Sequence, residues 1–281
     1  MKWVNLINSN LKDKEIRKLM LDNNSIDDLL FNIDNYEDNI KYEIEKAYKN
    51  EIYTKDYRII SYYDSEYPEY LKHIPNFPVF LYLKGKKLNL KKSVSVVGTR
   101  NYTDLGKKSC EKIISDLANY NNMNIVSGLA KGIDSIALKK AVDLNITPVA
   151  IMPTDILSCY PIENIKLKEK IEEIGTLISE FRINTKLNKK NFVIRNRLIA
   201  GISRAVYIAQ SFKSGGSMIT AKFAMDYNKE IYCTPSNIFD KSFEGCNDLI
   251  MKNGAKLINS GYDIGYEYGW RKKSEEIFSN S

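Results

Sequence analysis

The chain has a single histidine, His73, and only four cysteines, Cys110, Cys159, Cys233 and Cys246, none of them in a C-x-x-C pair. Such a set offers neither the ligand spacing of a zinc site nor a disulfide framework, so no metal is expected. No apolar run approaches the length of a membrane span, and Met1-Lys2-Trp3-Val4-Asn5 lacks the basic-then-apolar pattern of a secretory leader. The expected place is the cytoplasm, without a membrane partner. G-x-G-x-x-G and G-x-x-x-x-G-K-[ST] are both missing, which removes the usual support for dinucleotide binding and P-loop hydrolysis. Internal repeats, low-complexity stretches and flexible linkers are missing too.

What is present is ordinary globular material with a basic bias. Of 281 residues, 43% are hydrophobic and 27% charged, enough to bury a real core, and the formal charge of +7 favours a polyanionic partner. The first 55 residues are acid-rich and glycine-poor with helical spacing, as in Asp13 to Leu21 and Ser25 to Phe31, and predict a small helical module. From Arg58 a β-like run, a short helix opened by Tyr67-Pro68 and a second run at Pro78 to Tyr82 predict an elaboration at the edge of a larger unit.

From Ser93 onward strands and helices alternate, the signature of a parallel sheet with crossover helices. Strands are expected over Ser93 to Val97, Asn124 to Ser127, Thr147 to Met152, Thr176 to Phe181, Ala205 to Ala209, Glu230 to Thr234 and Ala255 to Ile258. Asp104 and Asp134 are expected to cap helices. The fold class is therefore α/β, a Rossmann-like doubly wound, mainly parallel sheet. Its expected extent is 56–265, with a short tail at 266–281.

Ligands of such sheets sit at the carboxyl ends of the strands, near the point where strand order reverses. Three expected strand ends carry small residues and a cation: Gly98-Thr99-Arg100, Ser127-Gly128-Leu129-Ala130-Lys131-Gly132, and Lys213-Ser214-Gly215-Gly216. Glycine lets backbone N–H groups approach a bound anion, and the cations supply countercharge. A single such loop is as well explained by a tight turn; three on one edge point to a phosphate site. The run Lys186 to Arg197 has five cations, no acid and one aromatic, Phe192. Cations track phosphates while a ring stacks a base without demanding sequence, which suits a single strand. A solvated basic face with Phe192 in the core fits the same letters.

These residues also carry a family resemblance. Ser127 to Asp134, Gly98-Thr99-Arg100, Tyr160-Pro161 with Glu163-Asn164, Ser179-Glu180, Asn191-Phe192 with Arg195-Asn196-Arg197, Ile219-Thr220-Ala221 and Gly245-Cys246-Asn247 together resemble the DprA (Smf) DNA-processing family, in that family's order. The resemblance spans roughly 58 to 260. It implies an extended Rossmann-like fold that binds single-stranded DNA, forms a homodimer and loads a RecA-type recombinase, with no catalysis and no cofactor. Carried over position by position, the DNA-binding set is Gly98, Arg100, Ser127, Gly128, Lys131, Gly132, Asn191, Phe192, Arg195, Arg197, Lys213, Ser214, Gly215 and Gly216. Within it Phe192 is the stacking residue, and Arg195 and Arg197 have a competing role in pinning loops together.

The chain departs from the family pattern in three places. Ser214 to Ser217 carries one residue more than the usual S-G-S, Ala209-Gln210 lacks an acid, and Pro235-Ser236-Asn237 replaces P-G-[SN]. Many relatives carry a winged helix after the core, and the expectation here is that this chain has none. Two other classes use the same pocket: a sensor of a small nucleotide, and a nucleotide-processing enzyme like the lysine-decarboxylase-like phosphoribohydrolases. The second lacks its P-G-G-x-G-T loop and following Glu, since Gly215-Gly216-Ser217 is followed by Met218-Ile219-Thr220-Ala221.

Overall fold

The computed structural model describes residues 2–50, 52 and 54–278. Its N-terminal part is a 3₁₀ turn at Trp3–Asn8 followed by α1 (Asp13–Asp22), α2 (Ile26–Phe31) and α3 (Asp38–Tyr48). Trp3, Leu6, Ile16, Leu19, Met20, Leu29 and Ile44 are buried in one apolar cluster with Ile60, Leu71, Phe80, Leu81 and Leu198. The helical segment is thus packed into the same core as the sheet.

The sheet holds β1 (Arg58–Ser61), β2 (Phe80–Gly85), β3 (Lys92–Gly98), β4 (Met123–Ser127), β5 (Thr147–Ile151), β6 (Thr176–Ser179), β7 (Ala205–Gln210), β8 (Glu230–Cys233) and β9 (Lys256–Leu257). Their order is β1-β2-β6-β5-β4-β3-β7-β8-β9. β1 and β2 are antiparallel and cap one edge, and every pairing from β6 to β9 is parallel. The interior strands read as apolar runs because helices cover both faces. The expected edge elaboration and seven strands are present, with ends shifted by a residue or two.

Between strands lie α4 (Asp104–Leu117), α5 (Ile133–Asp143), α6 (Ile165–Ile174), α7 (Lys189–Ile202), α8 (Gly216–Asp226) and α9 (Glu244–Met251). Neither expected cap is the cap. Thr103 caps α4, its hydroxyl accepting from the Gly106 amide at 3.2 Å, and Asp104 is the first helical residue. Gly132 stands at the N-cap of α5, and Asp134 is buried in its first turn. The residues beyond 265 depart from a simple tail. They continue α10 (Gly261–Glu267) and form α11 (Lys273–Phe278), and Trp270 packs edge-on against Tyr120, three residues past α4, ring centres 5.9 Å apart.

Strand order reverses between β3 and β7, which pair with each other while their successors run to opposite sides. The loops leaving these two strands therefore diverge and open a crevice at their carboxyl ends.

Candidate nucleic-acid interface

A cavity of about 410 Å³ occupies that crevice. Its floor is the end of β3, Val97 to Asn101; one wall is the start of α7 with Phe192, Val193 and Asn196, and the other is the start of α8 with Gly215, Gly216 and Ser217. Ala130, Asp134 and Arg195 close the back. The loops are tied at the root: the Thr99 amide donates to the Gln210 carbonyl at 2.8 Å, and the Ile133 amide to the Thr99 carbonyl at 3.2 Å.

Arg100 and Phe192 meet at the mouth. Arg100 is exposed, and its guanidinium carbon lies 5.5 Å from the centre of the Phe192 ring. The ring is half-buried, with Tyr160 against its edge at 5.4 Å. Phe192 is therefore neither a core residue nor free. A cation over an aromatic face, open on the cavity side, offers a phosphate contact and a stacking surface together. On the opposite wall a Cβ added at Gly216 would meet nothing within 4 Å, so the backbone at the first turn of α8 faces open space. α8 has no side-chain cap and no acid in its first turn, which leaves its positive end uncompensated.

The other residues of the expected set have different roles. Arg195 is buried, and its Nη1 donates to the carbonyls of Ile151, at 3.0 Å, and Gly128. Burial pulls its guanidinium down to about 10, opposed by neighbouring Asp134, so it remains charged at neutral pH. Asp134 lies beside Gly128 and Arg195, and burial pushes its carboxyl up against the pull of Arg195. Arg197 is paired with Glu180 in the interior, where burial raises the Glu180 carboxyl despite the arginine. Both arginines of α7 thus pin loops and do not present their charge to the cavity mouth.

Ser127 and Asn191 are likewise interior: Ser127 Oγ donates to the Val96 carbonyl at 2.6 Å and Asn191 Nδ2 to the Pro153 carbonyl at 3.1 Å. Gly128 and Gly132 make their close approach to protein. A Cβ at Gly128 would run into Arg195 and Asp134; at Gly132, whose φ is +88°, it would strike the Thr99–Arg100 backbone. Gly98 lies against Ile133 and still lines the cavity. Lys131 is exposed at the rim and paired with Glu163 at 2.6 Å. Lys213 sits 3.5 Å from Asp248 and 3.8 Å from Glu244, and Ser214 lines a neighbouring depression on α8.

Three further residues near these loops lie outside the expected set. Lys189 and Lys190, exposed on the first turn of α7, make no ion pair among the described residues, and only their place in the basic run signalled them. Gln210 ends β7 at the root of the cleft. Its amide oxygen accepts from the Thr103 amide at 3.0 Å and its amide nitrogen donates to Ser242 Oγ at 2.6 Å, locking the loop that carries Arg100. Nothing in the residue type announced that role.

Known proteins share this outline. The family profile described as DNA recombination-mediator protein A matches residues 58–269. The DNA processing protein DprA of Streptococcus pneumoniae is 36% identical over 229 residues, 81% of this chain and 79% of that protein. An X-ray structure of DprA from the same species aligns with a TM-score of 0.81 at 31% identity, covering 95% of this chain and 99% of that one. The DNA processing protein A of Helicobacter pylori, whose structure addresses its single-stranded DNA binding mode, gives 0.69 at 27% identity, covering 76% of this chain and 97% of that one.

Proposed function

Since the chain belongs to the DNA recombination-mediator protein A family, the DprA or Smf proteins, we propose that its switch-point cleft binds single-stranded DNA. The observation that carries this reading is Arg100 over Phe192 at the mouth of the cavity, with the open backbone of Gly216 opposite. A duplex buries its base faces, whereas a ring at a cleft mouth reaches only an unpaired base. Arg100, Lys189 and Lys190 supply the phosphate contacts. No chemistry on the strand is proposed.

Two finer statements belong to the same reading and rest on the family. The protein acts as a homodimer, and it helps a RecA-type recombinase onto strands coated by a single-strand-binding protein. The discriminating experiment titrates the purified protein with single-stranded DNA, duplex DNA and mononucleotides. Tight, salt-dependent binding to the single strand, with the other two at least about tenfold weaker, is the expected result. Preference for a mononucleotide instead identifies a nucleotide sensor using the same cavity. Recombinase loading is tested on coated strands; unchanged filament growth removes that part alone.

A further inference from the structure

The amino ends of the sheet carry a second concentration of positive charge, at the far end of β7 from the cleft. Arg204 immediately precedes β7 and Lys229 immediately precedes β8, and their neighbours Ala205 and Glu230 are register partners, so the two cations stand side by side. Lys229 Nζ lies 4.0 Å from the centre of the Tyr70 ring and donates to the Ser203 carbonyl at 3.0 Å. Arg204 is exposed; its Nη1 donates to the Tyr70 hydroxyl at 2.9 Å and its guanidinium lies 4.8 Å from the Tyr268 ring centre. All of these partners are neutral.

Several other partly buried cations meet carboxylates, while Arg17 donates to the Phe77 carbonyl and Arg195 to those of Ile151 and Gly128. Arg58 reaches Glu66 at 2.7 Å, Lys84 reaches Glu172 at 2.7 Å, and Arg197 is paired with Glu180. Around Tyr268 the acids are Glu230 and Glu267, and both close on Lys256. Among the described residues neither Arg204 nor Lys229 makes an ion pair. Burial, with Arg204 adding to it, holds the Lys229 ammonium down to about 8. Placing the exposed Arg204 guanidinium beside the half-buried Lys229 ammonium is unfavourable unless countercharge arrives, and an oxyanion bridging the two supplies it.

We propose that Arg204 and Lys229, framed by Tyr70 and Tyr268, form a second phosphate seat that takes a backbone phosphate of the strand held in the switch-point cleft. This rests on the cleft reading for its ligand. The six residues of β7 separate the two places by roughly 20 Å. A strand confined to the cleft does not reach the seat, and a longer one does. Two cations among tyrosine rings match the sequence-neutral contacts of single-strand binding.

The test compares salt dependence of binding by the full chain for strands of about 3 and about 40 nucleotides, lengths on either side of the usual footprint of one binding module. For Arg204→Gln/Lys229→Gln the logarithmic salt slope on the long strand is expected to fall by about 0.7, the increment for the one phosphate no longer neutralised, with the short strand unaffected. Lys229→Arg keeps the slope. Should the double variant fail to fold, Lys229→Glu gives Arg204 an internal countercharge and is expected to fold while losing the same slope. An unchanged long-strand slope in a folded variant overturns the proposal. Inorganic phosphate separates the sources: if it raises the Lys229 pKa from about 8 while the strand slope is indifferent to both residues, the seat serves a free anion and the strand assignment is wrong. Intact short-strand binding by Arg100→Ala counts against the cleft reading and not against the seat, which the long-strand slope still decides.

Discussion

On the β3–β4 side of the cleft glycine is pressed against protein, and on the β7–α8 side Gly216, at the start of α8, faces open space. Gly128 has the Arg195 guanidinium and the Asp134 carboxylate where a Cβ would stand, and Gly132 has the backbone of Thr99 and Arg100; Gly216 has nothing within 4 Å. Charge divides the same way. Arg195 and Arg197 are spent on carbonyls and on Glu180, while Arg100 stays exposed at the mouth. One wall is a rigid anchor whose small residues exist so that other parts can close in. The other leaves its backbone free for a ligand. A glycine-and-cation loop therefore marks an edge of the sheet, and packing decides which atoms of it face outward.

A methyl group added to each wall tests that division most severely. Gly128→Ala pushes the buried Arg195 guanidinium off its two carbonyls and crowds the Asp134 carboxylate, leaving a buried charge uncompensated, so a loss of about 3–5 kcal/mol of folding stability is expected. Gly216→Ala adds a methyl in open space at the first position of a helix and is expected to stay within about 0.5 kcal/mol of the parent. Urea unfolding of the two variants reads both. Equal effects would falsify the division into a packed and an open wall.

Next in size is the buried pair beneath the anchor. Arg197→Leu strands Glu180 in the interior and is expected to cost about 3–5 kcal/mol at neutral pH. The folded Glu180 carboxyl already titrates above its ordinary value because of burial, and losing Arg197 raises it further. Between that raised value and the unfolded one the folded state binds more protons, so the variant's deficit shrinks as pH falls through this window. Adding Glu180→Leu is expected to recover much of the loss. A deficit independent of pH, and not rescued by the second change, removes the electrostatic account.

Much of this was legible in the letters and some was not. Alternation of apolar runs with helical spacing gave the parallel sheet and its carboxyl edge, because burial on both faces leaves a strong pattern. The direction of a side chain on α7 is a subtler signal. Asn191, Arg195, Leu198 and Ile202 are spaced at four, three and four residues and share the buried face, so the spacing carried the fate of Arg195 even though its type suggested a phosphate contact. The pairings of Arg197 with Glu180 and of Lys131 with Glu163 join distant segments, and no local pattern announces them. Thr103 and Asp104 are both good caps by type, and the tertiary course of the chain chose Thr103.

Phe192 sets packing against binding at a single residue. Because its ring is half-buried, Phe192→Ala is expected to cost less folding stability than the roughly 3–5 kcal/mol of a fully buried phenylalanine. It should also lose about 1–3 kcal/mol of single-strand affinity with the salt slope unchanged. Phe192→Trp keeps a π-face and should retain binding, whereas Phe192→Leu keeps bulk alone and should not. Full binding by the leucine variant, with a large fall in melting temperature for alanine, assigns the ring to the core.

The smallest expected effects lie among the rim cations, where pairing rather than position sets the size. Arg100 makes no carboxylate pair among the described residues, and its loss in Arg100→Ala should lower the logarithmic salt slope of strand binding by about 0.7. Lys131 reaches Glu163 at 2.6 Å with both side chains about 60% exposed, so its charge is already partly answered and the pair itself is worth little to the fold. Lys131→Ala should therefore move the slope less than Arg100→Ala does. Removing the acid reverses the situation: Glu163→Gln frees the lysine at the rim of an otherwise intact cleft, and affinity at low salt is expected to rise, with a steeper slope, while melting temperature hardly changes. The rise should disappear in Glu163→Gln/Lys131→Ala if the freed ammonium causes it. A gain that survives in the double variant means that Glu163 repels the strand directly, and that the cleft extends past Lys131 along α5 and α6.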